Sequence, residues 1–254
     1  MSCVRSAGDD GGDSGAARAV KLSIIIPVYN EEQTISELVE RVRAVDLGAL
    51  EKEIIIANDG SSDRTRDVIN SSEWVRDPRI RIYDYPINVG KGAAVRLGLK
   101  FATGDIIIIQ DADLELNPQE YGILLAPVLA GETDVVYGSR FLKPTHHIPF
   151  RTRAANWWLT WFTNLLFSGR LTDMETAYKV FRRETIETIR LRCVGFDFEP
   201  ELTAKLLRAG RRIVEVPITY SPRRSDEGKK IRWTDGVDAV YVLLKCRFSR
   251  SRHR

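Results

Sequence analysis

Long hydrophobic runs are missing from this 254-residue sequence. Its longest apolar stretches fall well short of the roughly 20 residues needed to span a bilayer, so no membrane-crossing helix is expected. Cysteine is scarce: Cys3, Cys193 and Cys246 are odd in number and far apart. That spacing excludes a disulfide scaffold or a cysteine metal site and fits a reducing cytosol. No apolar h-region follows the N-terminus, so no secretory signal is read there. No Gly-x-Gly-x-x-Gly follows the first predicted strand, which argues against a dehydrogenase-type dinucleotide site. His146 and His147 have no nearby metal-binding partners and read as loop residues. Net charge is small, at +3, but unevenly spread. From Arg223 to the end there are ten Lys/Arg against four Asp/Glu. Such a basic end suits a phosphate group or an anionic membrane surface, or is simply a solvated tail.

What is present is ordinary for a folded domain, with 43% hydrophobic and 29% charged residues. Residues 1–20 are rich in Gly, Ser, Ala and Asp and read as a disordered tail; residues 248–254 read as a basic one. Between them the sequence predicts a single domain over 21–247. Strands are expected at Leu22–Ile26 (ended by Pro27), Glu53–Ala57, Arg79–Tyr83, Ile106–Ile109 and Asp134–Gly138. Helices follow Asn30, which can cap; Asp63; Gly92; and Pro118. Short links between alternating strands and helices argue for an α/β fold, a mostly parallel sheet covered on both faces. The character becomes basic and aromatic after Gly138, dividing the domain into halves at 21–140 and 141–247.

The stretch Asp105–Glu115 holds four isoleucines followed by Asp111, Asp113 and Glu115. A β-branched run suits a strand buried on both faces, and ligands bind beyond the carboxyl ends of such strands. If the backbone stays extended, all three acids face one side, and a divalent cation with oxygen ligands relieves their repulsion. The bland alternative is a pair of solvated loop aspartates. Asp59 can accept a hydrogen bond from a base or ribose, or can form an Asx turn ahead of Ser62. Lys91, between two glycines at a helix start, offers backbone and ammonium to an anion, or is a surface lysine. Four strand ends converge on one edge: Pro27–Glu31, Asn58–Asp63, Asp111–Glu115 and Gly138–Arg140.

The blocks Ile26-Pro27-Val28-Tyr29-Asn30-Glu31-Glu32, Asn58-Asp59-Gly60-Ser61-Ser62-Asp63, Asn88-Val89-Gly90-Lys91-Gly92 and Asp111-Ala112-Asp113-Leu114 resemble the family 2 inverting glycosyltransferases of the GT-A fold. Within that family, Gly138-Ser139-Arg140 and the later blocks look like the dolichyl- or polyprenyl-phosphate hexosyltransferases. The resemblance runs from about Lys21 to Val242. It implies a Rossmann-like sheet with a C-terminal, acceptor- and membrane-facing helical segment. It places Pro27, Tyr29, Glu31 and Asp59 around the nucleoside of a nucleotide-sugar donor, with Lys91 near it. Asp111 and Asp113 would hold Mg²⁺ or Mn²⁺; Glu115, where the family often has Gln, adds a negative charge that either joins them as a third metal ligand or faces away. Arg140 would meet the lipid phosphate or the diphosphate. Arg151-Thr152-Arg153-Ala154-Ala155-Asn156 resembles the family's Ser-Arg-Gly-Ala-Asn helix start. Ile148 stands where many members have a phosphate-binding arginine, so Arg151, Arg153 or His147 would replace it. Thr172–Lys179 occupies the place of Asp-x-x-Ser-Gly-Phe-Arg. Arg224 with Gly228-Lys229-Lys230 resembles the segment that closes over the diphosphate.

The implied reaction is metal-dependent, inverting transfer of a hexose, of the GDP-mannose or UDP-glucose type, to a polyprenyl phosphate. One alternative is a sugar hydroxyl acceptor, which needs a base such as Glu175 or Asp173. The Lys229-Lys230-Ile231-Arg232-Trp233 stretch, with lysine where processive members have glutamine, favours a phosphate. Another alternative is a non-catalytic sugar-nucleotide or membrane-binding scaffold. Asn156–Phe167 crowds Trp157, Trp158, Trp161, Phe162, Leu165 and Leu166 between arginines, which suits a helix lying in the membrane interface or one packed on the sheet. Asp235–Arg247, with Val237, Val240, Tyr241 and Leu244 and with Lys245 and Arg247 at its end, has the same two readings, core packing being the favoured one. The expected location is therefore cytoplasmic and peripheral at the membrane face, with a membrane-anchoring subunit as a plausible partner and no nucleic acid.

Overall fold

The computed structural model describes residues 19–143, 148–222 and 233–249. Seven strands form one sheet in the order β3-β2-β1-β4-β6-β5-β7. Strand β1 (Lys21–Val28) lies between β2 (Glu51–Asp59) and β4 (Ile106–Ile109), parallel to both. Beyond β2 comes β3 (Ile80–Tyr85), also parallel. Strand β6 (Lys179–Arg182) runs antiparallel between β4 and β5 (Val135–Ser139), and β7 (Ile213–Pro217) closes the far edge parallel to β5. The sheet is thus mostly parallel, with one reversed strand. Because β6 is reversed against both neighbours, β1, β2, β4 and β5 all end on the same edge, as the sequence predicts.

Continuous isoleucine runs form the centre. Ile24, Ile25 and Ile26 of β1 and Ile106–Ile109 of β4 are all buried, as a strand covered on both faces requires. One face packs on α1 (Ile35–Arg43) and α4 (Tyr121–Leu129); the other packs on α3 (Lys91–Phe101) and α7 (Phe198–Arg208). Helices α2 (Thr65–Ser71) and α6 (Arg183–Glu187) are short. Gly98 of α3 sits against Ile25, where a Cβ would collide with the isoleucine side chain. A third core joins α5 (Phe150–Phe167), α7 and α8 (Trp233–Phe248).

Three local expectations change. Pro27 does not end β1, which continues to Val28 along β2; β4 has already stopped pairing, at Ile25–Ile109, so Pro27 interrupts no ladder there. Asn30 does not cap α1, which starts at Ile35 after Thr34. Instead Asn30 takes a positive φ of 51° and ties the β1 loop to the β2 loop through Ser62. In α8 the core residues are Ala239, Val242, Leu243 and Cys246, whereas Val237, Tyr241 and Leu244 face outward. The heptad-like spacing of apolar residues on both sides of this helix hid which stripe was inner.

Among the described residues no helix is long and apolar enough to cross a membrane. In α5 the surface is split. Leu159 is buried, with Phe162 and Leu166 packed against the third core, while Trp157 and Trp161 are 65% and 48% exposed.

Candidate active site

At the carboxyl edge, the loops after β1 and β2 are tied together before any ligand is considered. Glu31 is buried; its amide donates to Thr65, and its carboxylate accepts from the Thr34 hydroxyl. Pro27 is buried in β1, and Tyr29 is half-buried on the loop that follows. Asp59, at the end of β2, is buried and accepts from the Val89 and Gly90 amides at 2.9 and 2.7 Å. Of the two roles open in the sequence, the Asx turn ahead of Ser62 is not the one these bonds form: Asp59 holds the loop that leads into α3. Gly60, at φ 65°, lies so close beneath that loop that a Cβ would strike the Ile87 and Asn88 backbone.

Gly90 has a φ of 121° and abuts the Val194 carbonyl. The Gly92 and Ala93 amides donate to the Gly195 and Val194 carbonyls. The start of α3 therefore spends these backbone donors on the protein itself. The Gly90, Gly92 and Ala93 amides on either side of Lys91 are thus engaged within the protein.

The Lys91 ammonium sits between two carboxylates, 2.8 Å from Asp111 Oδ2 and 2.8 Å from Glu199 Oε1. Burial opposes its charge, but Asp111 and Glu199 more than offset this and hold the lysine protonated well above its usual range. Glu199 went unnoticed in the sequence because an acid in the first turn of α7 looks like ordinary dipole compensation. Its position between Phe198 and Pro200, both buried, is the signal that could have singled it out.

The three acids after β4 do not share one side. Leu114 has a φ of 62°, so the chain turns and the alternation of an extended strand is lost. Asp113 accepts from the Glu115 amide, and Glu115 reaches the Tyr220 hydroxyl at 2.8 Å. Among the described residues, no group of three His, Cys, Asp or Glu side chains is placed to hold a metal ion. The three-carboxylate expectation is corrected on this point. Asp111 still fits a cation: its Oδ1 is buried without a hydrogen-bond partner, while Oδ2 is held by Lys91.

A second charged unit adjoins β5. Arg140 grips Asp173 with Nε and Nη2 at 2.7 and 2.8 Å, and its own amide donates to the same carboxylate. Asn156 of α5 adds a fourth hydrogen bond to Asp173. Burial pushes the Asp173 carboxyl up, but the Arg140 guanidinium and these bonds bring it below the ordinary value of 3.8. The Arg140 guanidinium also lies over the Tyr220 ring, 5.2 Å from its centroid. So one edge of Arg140 is committed, and Asp173 is a poor base. Arg153 lies one turn before Asn156 on α5 and is exposed. Lys229, Arg224, Lys230, His146 and His147 lie outside the described residues.

Behind these pairs lie Glu175 and Lys179, in and beside β6. Glu175 Oε1 is buried without a hydrogen-bond partner. Burial, with Glu199 nearby, raises its carboxyl from 4.5 to about 7. Lys179 is fully buried, donates to the Met174 and Thr176 carbonyls, and is lowered by burial to about 8. Strand β6, which carries Lys179, was not foreseen in the sequence.

A family model for glycosyl transferase family 2 matches residues 23–190. Two curated relatives are each 27% identical to the chain. The dodecaprenyl-phosphate galacturonate synthase of Rhizobium johnstonii aligns over 86% of this chain and 64% of its own length. The undecaprenyl-phosphate mannosyltransferase of Micrococcus luteus aligns over 83% of this chain and 87% of its own length. The chain thus spans just under two thirds of the first relative. Among solved structures, glucosyl-3-phosphoglycerate synthase from Mycobacterium tuberculosis, in complex with Mn²⁺, UDP and glucosyl-3-phosphoglycerate, superposes with a TM-score of 0.69. It is 20% identical and covers 92% of this chain and 82% of its own; the likeness is one of fold.

Proposed function

Since the chain belongs to glycosyl transferase family 2, we propose that it transfers a sugar from a nucleoside-diphosphate donor to a polyprenyl phosphate. The observation that carries this reading is the Lys91–Asp111–Glu199 cluster at the β4 end. One ammonium between two carboxylates leaves a net negative charge, which alone would repel a diphosphate. A divalent cation on the orphan Oδ1 of Asp111 reverses that balance. Asp111, with Asp113 nearby in sequence, would hold it; Glu115 is engaged by Tyr220. Bound there, Mg²⁺ or Mn²⁺ would supply electrostatic stabilisation of charge on the departing diphosphate.

The chain's own residues supply the rest of the proposal. Pro27, Tyr29 and Glu31, with the loop that Asp59 secures, border the nucleoside side of the edge. Lys91 stays protonated at neutral pH and adds positive charge beside Asp111. A phosphate monoester is already anionic at pH 7, so its oxygen can attack the anomeric carbon without a general base. In-line displacement then inverts that centre. Arg140, held rigid by Asp173, together with Arg153 and Lys229, would orient the acceptor phosphate. Names of the relatives support a lipid phosphate as acceptor.

The test is transfer of labelled sugar into a butanol-extractable product, with GDP- and UDP-sugars as separate arms. Metal-dependent label in the lipid fraction is expected; Asp111→Asn should abolish it. One observation favours a second reading, a hydroxyl acceptor: Glu175 has an unpaired buried oxygen, and burial raises its carboxyl to about 7, where a general base works at neutral pH. Label appearing only in hydroxyl acceptors, and lost in Glu175→Gln, would replace the first reading with the second.

A further inference from the structure

Three buried carboxylate oxygens around the Lys91 cluster have no hydrogen-bond partner: Asp111 Oδ1, Glu175 Oε1 and Glu199 Oε2. The first is the oxygen given above to a cation. The other two belong to neighbouring carboxyls, for the charge of Glu199 is, after burial, the strongest influence raising the Glu175 carboxyl. Glu199 is 5% exposed and firmly placed. Its Oε1 lies 2.8 Å from the Lys91 ammonium. Its carbonyl accepts from the Thr203 hydroxyl, which also pairs with Tyr137 of β5. Glu175 sits in a loop whose Met174 and Thr176 carbonyls accept from the buried Lys179 ammonium. Lys179 thus turns to the backbone, 4.8 Å over the Tyr137 ring, and bonds neither orphan oxygen.

Two ionised carboxylates cannot satisfy one another, because neither has a hydrogen to give. One proton between them satisfies both orphans: a neutral Glu175 donates to Oε2 of an ionised Glu199. The neighbours decide which carboxyl carries it. Glu199 has Lys91 against it, which favours the charged form. The proton also balances the buried charge. Around these two carboxyls stand Lys91 with Asp111, Arg140 with Asp173, and Lys179. Fully ionised, Asp111, Asp173, Glu175 and Glu199 exceed Lys91, Arg140 and Lys179 by one negative charge. A single proton removes the excess. Glu215 of β7 lies on the far side of Asp173, whose amide it accepts, and burial keeps the Tyr137 hydroxyl neutral.

We propose that Glu175 and Glu199 share one proton, and that Glu175 is thereby a positioning residue for Lys91, acting through Glu199. Held by Glu175, Glu199 keeps the Lys91 ammonium beside Asp111 without a further uncompensated negative charge next to the diphosphate. Glu175 works here as a neutral acid, the opposite of a general base. The inference rests on the proposed donor site for the use made of Lys91; the shared proton does not depend on it.

The test begins with infrared difference spectroscopy of the full chain, titrated between about pH 5 and 9. The carbonyl stretch of a protonated carboxyl should be present in the acidic half, vanish with a midpoint near 7, and be missing in Glu175→Gln. In Glu199→Gln the midpoint should fall, because the repelling charge and the acceptor are gone. Calorimetry with UDP-glucose and with GDP-mannose, each with Mn²⁺, reads the positioning role. Glu175→Leu should weaken the better-bound donor by about tenfold. Glu175→Gln, whose amide can still donate to Glu199, should restore most of that affinity. Should Glu175→Leu fail to fold, the infrared titrations and Glu175→Gln still decide. The proposal is overturned by the absence of the protonated band or by a midpoint that Glu199→Gln does not move. It is equally overturned if Glu175→Leu leaves donor affinity unchanged, or if Glu175→Gln lowers it by tenfold. Failure of the transfer reading is separate: no label reaches polyprenyl phosphate, while donor binding and the infrared titration persist.

Discussion

Asp173→Asn removes one charge from the buried pair with Arg140 and changes almost nothing else in shape. Asp173 is fully buried and the Arg140 side chain is 14% exposed, so neither charge is well solvated. Removing one partner of such a pair strands the other, at a cost of about 3 kcal/mol or somewhat more. For a chain of this size, that lowers the melting midpoint by roughly 6–12 °C. The Asp173 carboxyl is held below 3.8 in the folded chain. Its contribution is thus present above that value and fades as pH falls through the lower, folded one. The destabilisation should be full at pH 7 and shrink only in strong acid. Thermal and urea unfolding of the chain, Asp173→Asn, Arg140→Gln and the double variant make a closed cycle. A coupling energy of about 2 kcal/mol or more is expected from the buried pairing. A coupling near zero would refute the reasoning, because it would mean that water or another group satisfies Arg140 equally well.

Replacing Lys91 with methionine should unbalance Asp111 and Glu199, which then repel unscreened; nucleotide-sugar binding, followed by calorimetry with metal present, should weaken by at least about tenfold. Retained affinity would remove Lys91 from the donor site. Glu175 is raised to about 7, so its stabilising contribution is complete below 4.5 and is lost as pH rises through about 7. Glu175→Gln fixes the neutral form. It should flatten the fall in stability between pH 5 and 8 that the unsubstituted chain shows; identical pH profiles would contradict the assignment. Gly98→Ala drives a methyl group into Ile25 and should cost about 1–3 kcal/mol in urea unfolding without altering the site residues.

The parallel core was legible because isoleucine runs in β1, β2 and β4 declare strands buried on both faces, and polar residues follow each one. Short links then fixed the edge on which those residues meet. The reversed strand β6 was not legible: Lys179-Val180-Phe181-Arg182 is brief, and a fully buried lysine argues against a central strand until its carbonyl partners are seen. The carboxylates after β4 were found, but not their directions, since the positive φ at Leu114 leaves no mark that a leucine would advertise. Glu199 was missed for a related reason. Its partner, Lys91, is more than a hundred residues away, and only the packing of α7 on α3 joins them. Helix α8 carried two apolar stripes in its sequence, and burial alone decides which is inner.

The central claim is that Asp111 serves a cation that carries the donor diphosphate while the acceptor is a lipid phosphate. Label from a nucleotide sugar should enter a butanol-extractable polyprenyl-phosphate product with Mg²⁺ or Mn²⁺, stop with chelator, and be lost in Asp111→Asn. Label that enters the lipid equally well with chelator present, or in Asp111→Asn, would contradict the account.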